Sequence, residues 1–298
     1  MTRRERRNLI NGLLFASPYL IGFFAFTLYP LAATIYYSFC HYNVVTPPVW
    51  AGLDNYREMF QLSTENIFWK SLWNTLYFTV FSVPLGLALA IGLALLLNQK
   101  VWGIAAYRTI FFLPSIVPLV ASAVLWLWVL DPRSGLINSN LSRLGLPQPG
   151  WIADEYWSKP SLILMSLWGV GGAMVIFLAG LADVPQSLYE VAEIDGAGPV
   201  RKFWNVTLPM LTPTILFNLV MGLIGAFQYF TQVFVMTAGK GTPNDTTMFF
   251  ALYLYKSAFN YLRMGYASAM AWILFLIILA ATLVVLISSK RWVHYYGD

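Results

Sequence analysis

Two groups of residues in this 298-residue chain have the types and spacing to do chemistry. The first is a charged run, YEVAEIDGAGPVRKFWNVTLP, from Tyr189 to Pro209. It gathers Glu190, Glu193, Asp195, Arg201 and Lys202 between two long apolar stretches. The second is a set of amides, hydroxyls, rings and glycines inside apolar stretches. Asn218, Gln228, Thr231 and Gln232 lie beside Phe227, Tyr229 and Phe230, and Trp168 stands in the run LWGVGG with Gly169, Gly171 and Gly172. Nucleophilic and metal chemistry have no comparable cluster. Cys40 is the single cysteine, which excludes an internal disulfide framework and a Cys-rich metal site. His41 and His294 are far apart and near no carboxylate cluster, so neither a triad nor a metal site is expected. The chemistry to expect is binding: charged groups for a macromolecular contact, and amides beside aromatic faces for a hydroxyl-rich solute.

The elements that position these residues follow from composition. The chain is 58% hydrophobic and 10% charged, with a mean hydropathy of +0.64. Soluble domains carry about 25% charged residues, so the expected solvent for much of this chain is lipid. The net charge of +5 is modest and concentrated in TRRERR at the start, so nucleic acid is not implied. A membrane-spanning helix needs about 20 apolar residues, because the hydrocarbon is about 30 Å thick and each residue advances about 1.5 Å. Six stretches free of Asp, Glu, Lys and Arg are long enough: Asn8–Leu53, Ser71–Gln99, Thr109–Leu130, Pro160–Ala182, Phe203–Gly239 and Met264–Ser289. Trimmed to their apolar centres they predict helices over 10–39, 73–97, 109–130, 161–182, 211–236 and 266–288. The first exceeds the 7–15 residues of a signal-peptide core and is expected to be a retained span.

Basic residues predict the orientation. With the N-terminus inside, inner segments hold ten Lys and Arg and the longer outer loops hold eight. Six spans then put both termini, and the charged run, in the cytoplasm. No linker or low-complexity tract divides the chain, which predicts one membrane domain over 1–298. Pro18, Pro30, Pro84, Pro114 and Pro118 fall in or beside spans, where packing kinks are the expected outcome.

Local chemistry predicts that the charged run, within an elbow over 183–210, is a helix–turn–helix too short and too polar to span. Asp183 caps a helix, Pro185 suits its first turn, and the helix runs to Asp195. Leu188, Val191 and Ala192 share one face. Gly196 ends the helix in the left-handed conformation. GAGP turns the chain, Pro199 starts a second helix over about Val200–Val206, and Pro209 and Pro213 mark the start of the fifth span. Glu190, Glu193 and Asp195 would be repelled by anionic lipid, so a protein partner fits this elbow better than a membrane surface.

Spacing within the elbow resembles the EAA signature of permeases in binding-protein-dependent ABC importers, which is Glu-Ala-Ala, three residues, Gly, nine residues, then Ile-x-Leu-Pro. Glu190, Val191, Ala192, Gly196, Val206, Leu208 and Pro209 stand at the matching positions, with Val191 in place of the first alanine and Val206 in place of the isoleucine. GLDNYREMF, FWKSLWNTL, YRTIFFLPSIVP, GLINSNL and MGYASAMAWILFLII resemble the carbohydrate-type branch (maltose, lactose and glycerol-3-phosphate uptake). The ending KRWVHYY is similar to the first-named permease of a heterodimeric pair.

The resemblance implies an all-α integral membrane protein with the six-helix type I ABC importer permease fold. It implies half of a pore in a bacterial or archaeal plasma membrane, completed by a second, homologous permease. A solute-binding protein delivers carbohydrate outside, and two ATP-binding subunits use ATP and magnesium inside. No cofactor belongs to this chain, which lacks a phosphate-binding loop ending in Gly-Lys-Ser/Thr. By the same resemblance, Glu190, Ala192, Asp195, Gly196, Arg201, Leu208 and Pro209 form the ATPase-coupling site. Arg201 and Lys202 meet either acidic groups of the ATPase or lipid headgroups, with headgroups preferred for Lys202. The substrate pathway is expected at Trp168, Gly172, Asn218, Gln228, Tyr229 and Gln232. Polar residues at such positions also serve as bonds between helices. Three rivals stand beside this reading. A stand-alone secondary transporter would place ionisable relays inside spans, and the six stretches hold none. A membrane enzyme would need a catalytic cluster near the interface. An ABC importer for glycerol phosphate, a polyol or a peptide shares the elbow.

Overall fold

The computed structural model describes residues 2–62 and 66–294, so the last two residues of KRWVHYY lie outside the described residues. Its first helix begins where side chains satisfy free backbone N–H groups. Thr2 and Glu5 form a reciprocal capping box, and helix α1 (Arg3–Phe23) therefore starts well before the predicted residue 10. One π-helical turn, Phe24–Leu28, joins it to α2 (Tyr29–Ser38) without a break. The turn ends two residues before Pro30. A proline ring collides with the carbonyl four residues back, and a widened turn relieves that collision.

A short hairpin follows, β1 (Cys40–His41) antiparallel to β2 (Val49–Trp50), and then α3 (Asp54–Met59). Asn66 accepts from the Phe68 N–H at 3.0 Å and starts α4 (Ile67–Leu97), six residues before the predicted 73. The predicted third span, 109–130, is two helices: α5 (Ile104–Ile116) and α6 (Leu119–Val129), bent by 99°. Pro118 is the cause. It holds Val117 extended, ψ 129°, as residues before proline are held. After α7 (Leu136–Arg143), the predicted fourth span also breaks, into α8 (Ser158–Trp168) and α9 (Gly171–Ala182), bent by 48° at Gly169 and Val170.

The charged run forms α10 (Gln186–Ile194) and α11 (Pro199–Lys202). A second π-helical turn, Phe203–Thr207, carries α11 directly into α12 (Leu208–Phe227). Pro209 and Pro213 were expected to mark a boundary here, but the π turn ends two residues before Pro209 and absorbs its ring as at Pro30. Then come α13 (Thr231–Met236), α14 (Phe250–Tyr255) and α15 (Met264–Ser289). Among the described residues, four helical stretches are long and apolar enough to cross a membrane: Arg3–Ser38, Ile67–Leu97, Pro199–Met236 and Met264–Ser289. Counting each bent pair as one span gives the six that the charge-free stretches predict.

The chain partitions into two compact units. One comprises Met1–Thr64 with Leu254–Ile273. Here buried Asn55 donates to the Ser38 and Cys40 carbonyls at 2.9 and 3.0 Å, which ties α3 to the hairpin. Gly265 is a required glycine: a Cβ there would lie 2.0 Å from the Cys40 carbonyl oxygen. The other unit comprises Glu65–Tyr253 with Leu274–Asp298. In it α4 is the central post, packed by α8, α9 and α12. Around it Phe78, Trp126, Leu162, Met165, Val233 and Phe249 build one apolar core. A loop over 237–249 folds against that core, with Thr247, Met248 and Phe249 buried. Asn74 holds this loop by donating to the Asp245 and Met248 carbonyls at 2.8 and 3.1 Å.

Candidate functional site

The elbow is closed by backbone geometry. Gly196 adopts φ +74°, its N–H donates to the Glu193 carbonyl at 3.0 Å, and the Ala197 N–H donates to the Ala192 carbonyl at 2.8 Å. This pair of bonds is a Schellman closure, and the left-handed residue in it favours glycine. At the other end the prediction of an Asp183 cap fails. Asp183 terminates α9, its N–H donating to the Ala179 carbonyl at 3.2 Å, and among the described residues no side chain caps α10. Pro185, extended at ψ 129°, is the turning residue instead.

Two contacts lock α10 onto the segment that follows. The Tyr189 and Thr207 hydroxyls lie 3.0 Å apart, and Lys202 forms an ion pair with Glu193. Lys202 therefore bonds within the elbow, rather than reaching out to headgroups. Glu190, Asp195, Gly196 and Arg201 are exposed, and among the described residues nothing bonds the side chains of Glu190, Asp195 or Arg201. Between them Val191, Ile194 and Val200 are 57%, 86% and 72% exposed. Ala192, Leu208 and Pro209 are half-buried and belong to the frame of the elbow. The outer surface of the elbow is thus an apolar knob ringed by charge.

A cavity of about 230 Å³ lies within the second unit. On α4 its wall is Phe78, Ser82 and Gly86, which repeat every four residues and share one face. Across from them stand Ser166 of α8, Val170, and Asn218, Gly222 and Ala226 of α12, with Tyr229 just beyond. Tyr229 is 9% exposed, and its ring stacks on Phe78 at 4.3 Å and meets the Phe249 edge at 5.8 Å. Its hydroxyl and that of Ser82 are buried with no hydrogen-bond partner among the described residues. A buried hydroxyl without a partner costs about 1–3 kcal/mol. Asn218 commits one N–H to the Thr214 carbonyl at 2.9 Å.

Of the expected pathway residues, then, Asn218 and Tyr229 come together. Gln228 is exposed, because α12 ends at Phe227 and the chain turns, which sends Gln228 outward and Tyr229 inward. Gln232 and Gly172 do not line this cavity. Trp168 lines a neighbouring one of about 490 Å³, edge-on to Trp126 with centroids 6.1 Å apart. Ser82 and Ser166 were missed. Small hydroxyls in apolar helices usually bond their own backbone, and Ser166 does bond the Ile163 carbonyl. The signal available for Ser82 was its place in a four-residue series with Asn74 and Phe78.

Comparison with known proteins places this arrangement. Residues 82–294 match the family model described as the inner membrane component of binding-protein-dependent transport systems. The probable ABC transporter permease protein YesP of Bacillus subtilis (strain 168) is 43% identical over 296 residues, covering 99% of this chain and 95% of that protein. The sulfoquinovosyl glycerol transport system permease protein SmoG of Agrobacterium fabrum is 33% identical, covering 92% and 89%. A chain in the crystal structure of a bacterial alginate ABC transporter, in complex with an alginate pentasaccharide-bound periplasmic protein, superposes with a TM-score of 0.81 at 25% identity, covering 96% of each chain. The chain belongs to the family of binding-protein-dependent transport system inner membrane components, the membrane-spanning permeases of ABC importers.

Proposed function

We propose that this chain is one permease of an ATP-driven carbohydrate importer, a single membrane domain over 1–298 with both termini in the cytoplasm. A second, homologous permease completes the pore, and an extracytoplasmic binding protein delivers solute to it. Two separate ATPase subunits use ATP and magnesium, and this chain does no catalysis. The observation that carries the reading is the elbow. It pairs a fixed turn at Gly196 with an exposed apolar surface, Val191, Ile194 and Val200, ringed by Glu190, Asp195 and Arg201. A knob of this shape suits a cleft on an ATPase, with Ala192, Leu208 and Pro209 as its frame. When ATP closes the two ATPases, each elbow moves with its cleft, and the packed helices rock between two states.

The solute path in this half of the pore is the cavity walled by Ser82, Ser166, Asn218 and Tyr229. Hydroxyls and an amide beside stacked rings suit a saccharide. The alginate and sulfoquinovosyl glycerol named for the relatives support the same substrate class. The test is ATP hydrolysis stimulated by loaded binding protein in reconstituted complexes. Glu190→Lys and Gly196→Pro each abolish that stimulation while leaving the protein in the membrane. Unchanged stimulation in both variants refutes the coupling role, and solute movement by this chain without an ATPase subunit favours a secondary transporter instead.

A further inference from the structure

The first compact unit holds a cavity of its own, about 300 Å³, distinct from the one walled by Ser82 and Tyr229. Its floor is Asn55 and Tyr266, which are 3% and 4% exposed. Its rim is exposed and comes from His41, Asn43, Thr46 and Val49 of the hairpin and from Arg263, just before α15. Backbone contacts lock these two walls together. The Gly265 N–H donates to the Tyr42 carbonyl at 3.1 Å, and the Cys40 carbonyl occupies the place a Cβ on Gly265 would need. The rings that line the cavity are each held by one face. Tyr42 stacks on Tyr37 with centroids 4.6 Å apart, and the Arg263 guanidinium lies 4.6 Å over the Tyr266 ring. The cavity is therefore preformed, and a preformed site spares a ligand the cost of ordering it.

The lining selects the ligand. Asn55 spends both N–H donors on the Ser38 and Cys40 carbonyls, which fixes its amide, and its Oδ1 has no partner among the described residues. A buried acceptor left in that state is costly. The Thr46 hydroxyl donates to the Asn43 Oδ1 at 2.7 Å and keeps its lone pairs for a ligand. Arg263 and His41 bring N–H groups to the rim. The charges here answer one another. Arg263 pairs with Glu58, Arg57 with Asp54 at 3.4 Å, and His41 lies 3.8 Å from Asp54. A charged ligand has to displace one of these contacts, and a neutral one does not. Acceptors, donors and two tyrosine rings around about 300 Å³ suit a small neutral ligand rich in hydroxyls, because each hydroxyl both donates and accepts.

We propose that this cavity is a second saccharide site, which binds one neutral pyranose unit where α2 ends and α15 begins. Its opening to the outside of the cell rests on the proposed orientation of the chain; its chemistry does not.

The test is photolabelling of the assembled transporter, without binding protein, in nanodiscs of phosphatidylcholine. The probes are diazirine-bearing methyl glucoside and methyl galactoside, with the plain methyl glycosides as competitors. Mass spectrometry finds the adduct on residues 41–49 or 262–266, and competitor halves it at about 1 mM, the affinity that the usual binding energy per atom gives a ligand of this size. Val49→Trp fills the rim and reduces the adduct at least tenfold. Val45→Trp, at a residue 80% exposed in the same connection and outside the lining, leaves it unchanged. Thr46→Val weakens competition about threefold, as expected for one neutral hydrogen bond. No competable adduct on either segment, or one that Val49→Trp leaves unchanged, overturns the proposal. Labelling that added phosphatidylglycerol abolishes also overturns it, since the cavity then holds a lipid headgroup. So does an unlabelled cavity whose Val49→Trp variant no longer attaches the binding protein, since that protein is then the occupant. Competable adducts confined to 78–86 or 218–229 refute this site and spare the proposed solute path. Competable labelling here and none there supports this site whatever becomes of that path. Nanodiscs expose both faces, so an inverted orientation leaves the labelling intact.

Discussion

Tyr229→Phe separates two uses of the same hydroxyl. The substitution keeps the ring that stacks on Phe78 at 4.3 Å and removes only the buried oxygen, which has no partner among the described residues. If no solute is bound, that oxygen lost its hydration on folding and gained nothing, a cost of about 1–3 kcal/mol. Phenylalanine removes the cost at almost constant volume, so the ligand-free complex is more stable by about 1–2 kcal/mol. For a chain of this size that is roughly 2–5 °C in Tm. With solute present the sign reverses. A neutral hydrogen bond contributes about 0.5–1.5 kcal/mol, so its loss lowers solute affinity about twofold to tenfold. The assay is thermal unfolding of the purified complex without solute, beside uptake into proteoliposomes at low solute concentration. Greater stability with weaker uptake is the expected pair. Greater stability with unchanged uptake means the hydroxyl never meets solute, and lower stability means it has a partner in the assembled complex; either result refutes the argument.

Two further substitutions test the frame around the cavity. Gly171→Ala puts a Cβ 2.5 Å from the Phe111 carbonyl oxygen and 2.9 Å from the Phe112 Cα, both backbone, so α5 must move from α9 at a cost of about 1–3 kcal/mol. Gly172→Ala is its control, since nothing lies within 4 Å there, and thermal unfolding of the pair reads the difference. Asn74→Ala leaves the Asp245 and Met248 carbonyls without their donor and costs about 2–4 kcal/mol. Limited proteolysis then cuts the 237–249 loop faster than in the parent protein.

Much of this was legible in the sequence for physical reasons. The span count follows from the cost of a charge in hydrocarbon, which every charge-free stretch reports. Gly196 was legible because one residue type dominates left-handed helix ends, and its φ of +74° agrees. What failed were statements about how prolines act. Pro118 breaks a span by 99°, while Pro209 and Pro213 lie within helix. The difference is a π turn before Pro209, which no single residue type announces. Lys159 was illegible for another reason. A charge count treats every lysine at the edge of a span as solvated, whereas Asn74 and Tyr77, 85 and 82 positions earlier in the sequence, draw this one against the bundle. Gln228 and Tyr229 are adjacent, and only the end of α12 at Phe227 decides which one faces the cavity.

That unbroken passage through Pro209 also bears on how the proposed coupling reaches the solute. The elbow is two helices, but only α11 has no flexible joint behind it. From Pro199 the backbone stays helical through the π turn and α12 to Phe227, about 40 Å of continuous rod at about 1.5 Å per residue. One end of the rod carries Val200 and Arg201 on the elbow surface. The other carries Asn218, Gly222 and Ala226 in the cavity wall. The Glu193–Lys202 ion pair and the Tyr189–Thr207 contact clamp α10 to the base of the rod. A push on the elbow therefore tilts the rod as a unit, and the residues displaced at its far end are those against which solute would rest. A glycine-hinged connection between α11 and α12 would lose the displacement in bending. The widened turn before Pro209 keeps the proline and the rod together, so the local device that hid the helix boundary from the sequence is also what lets one element carry motion from elbow to cavity.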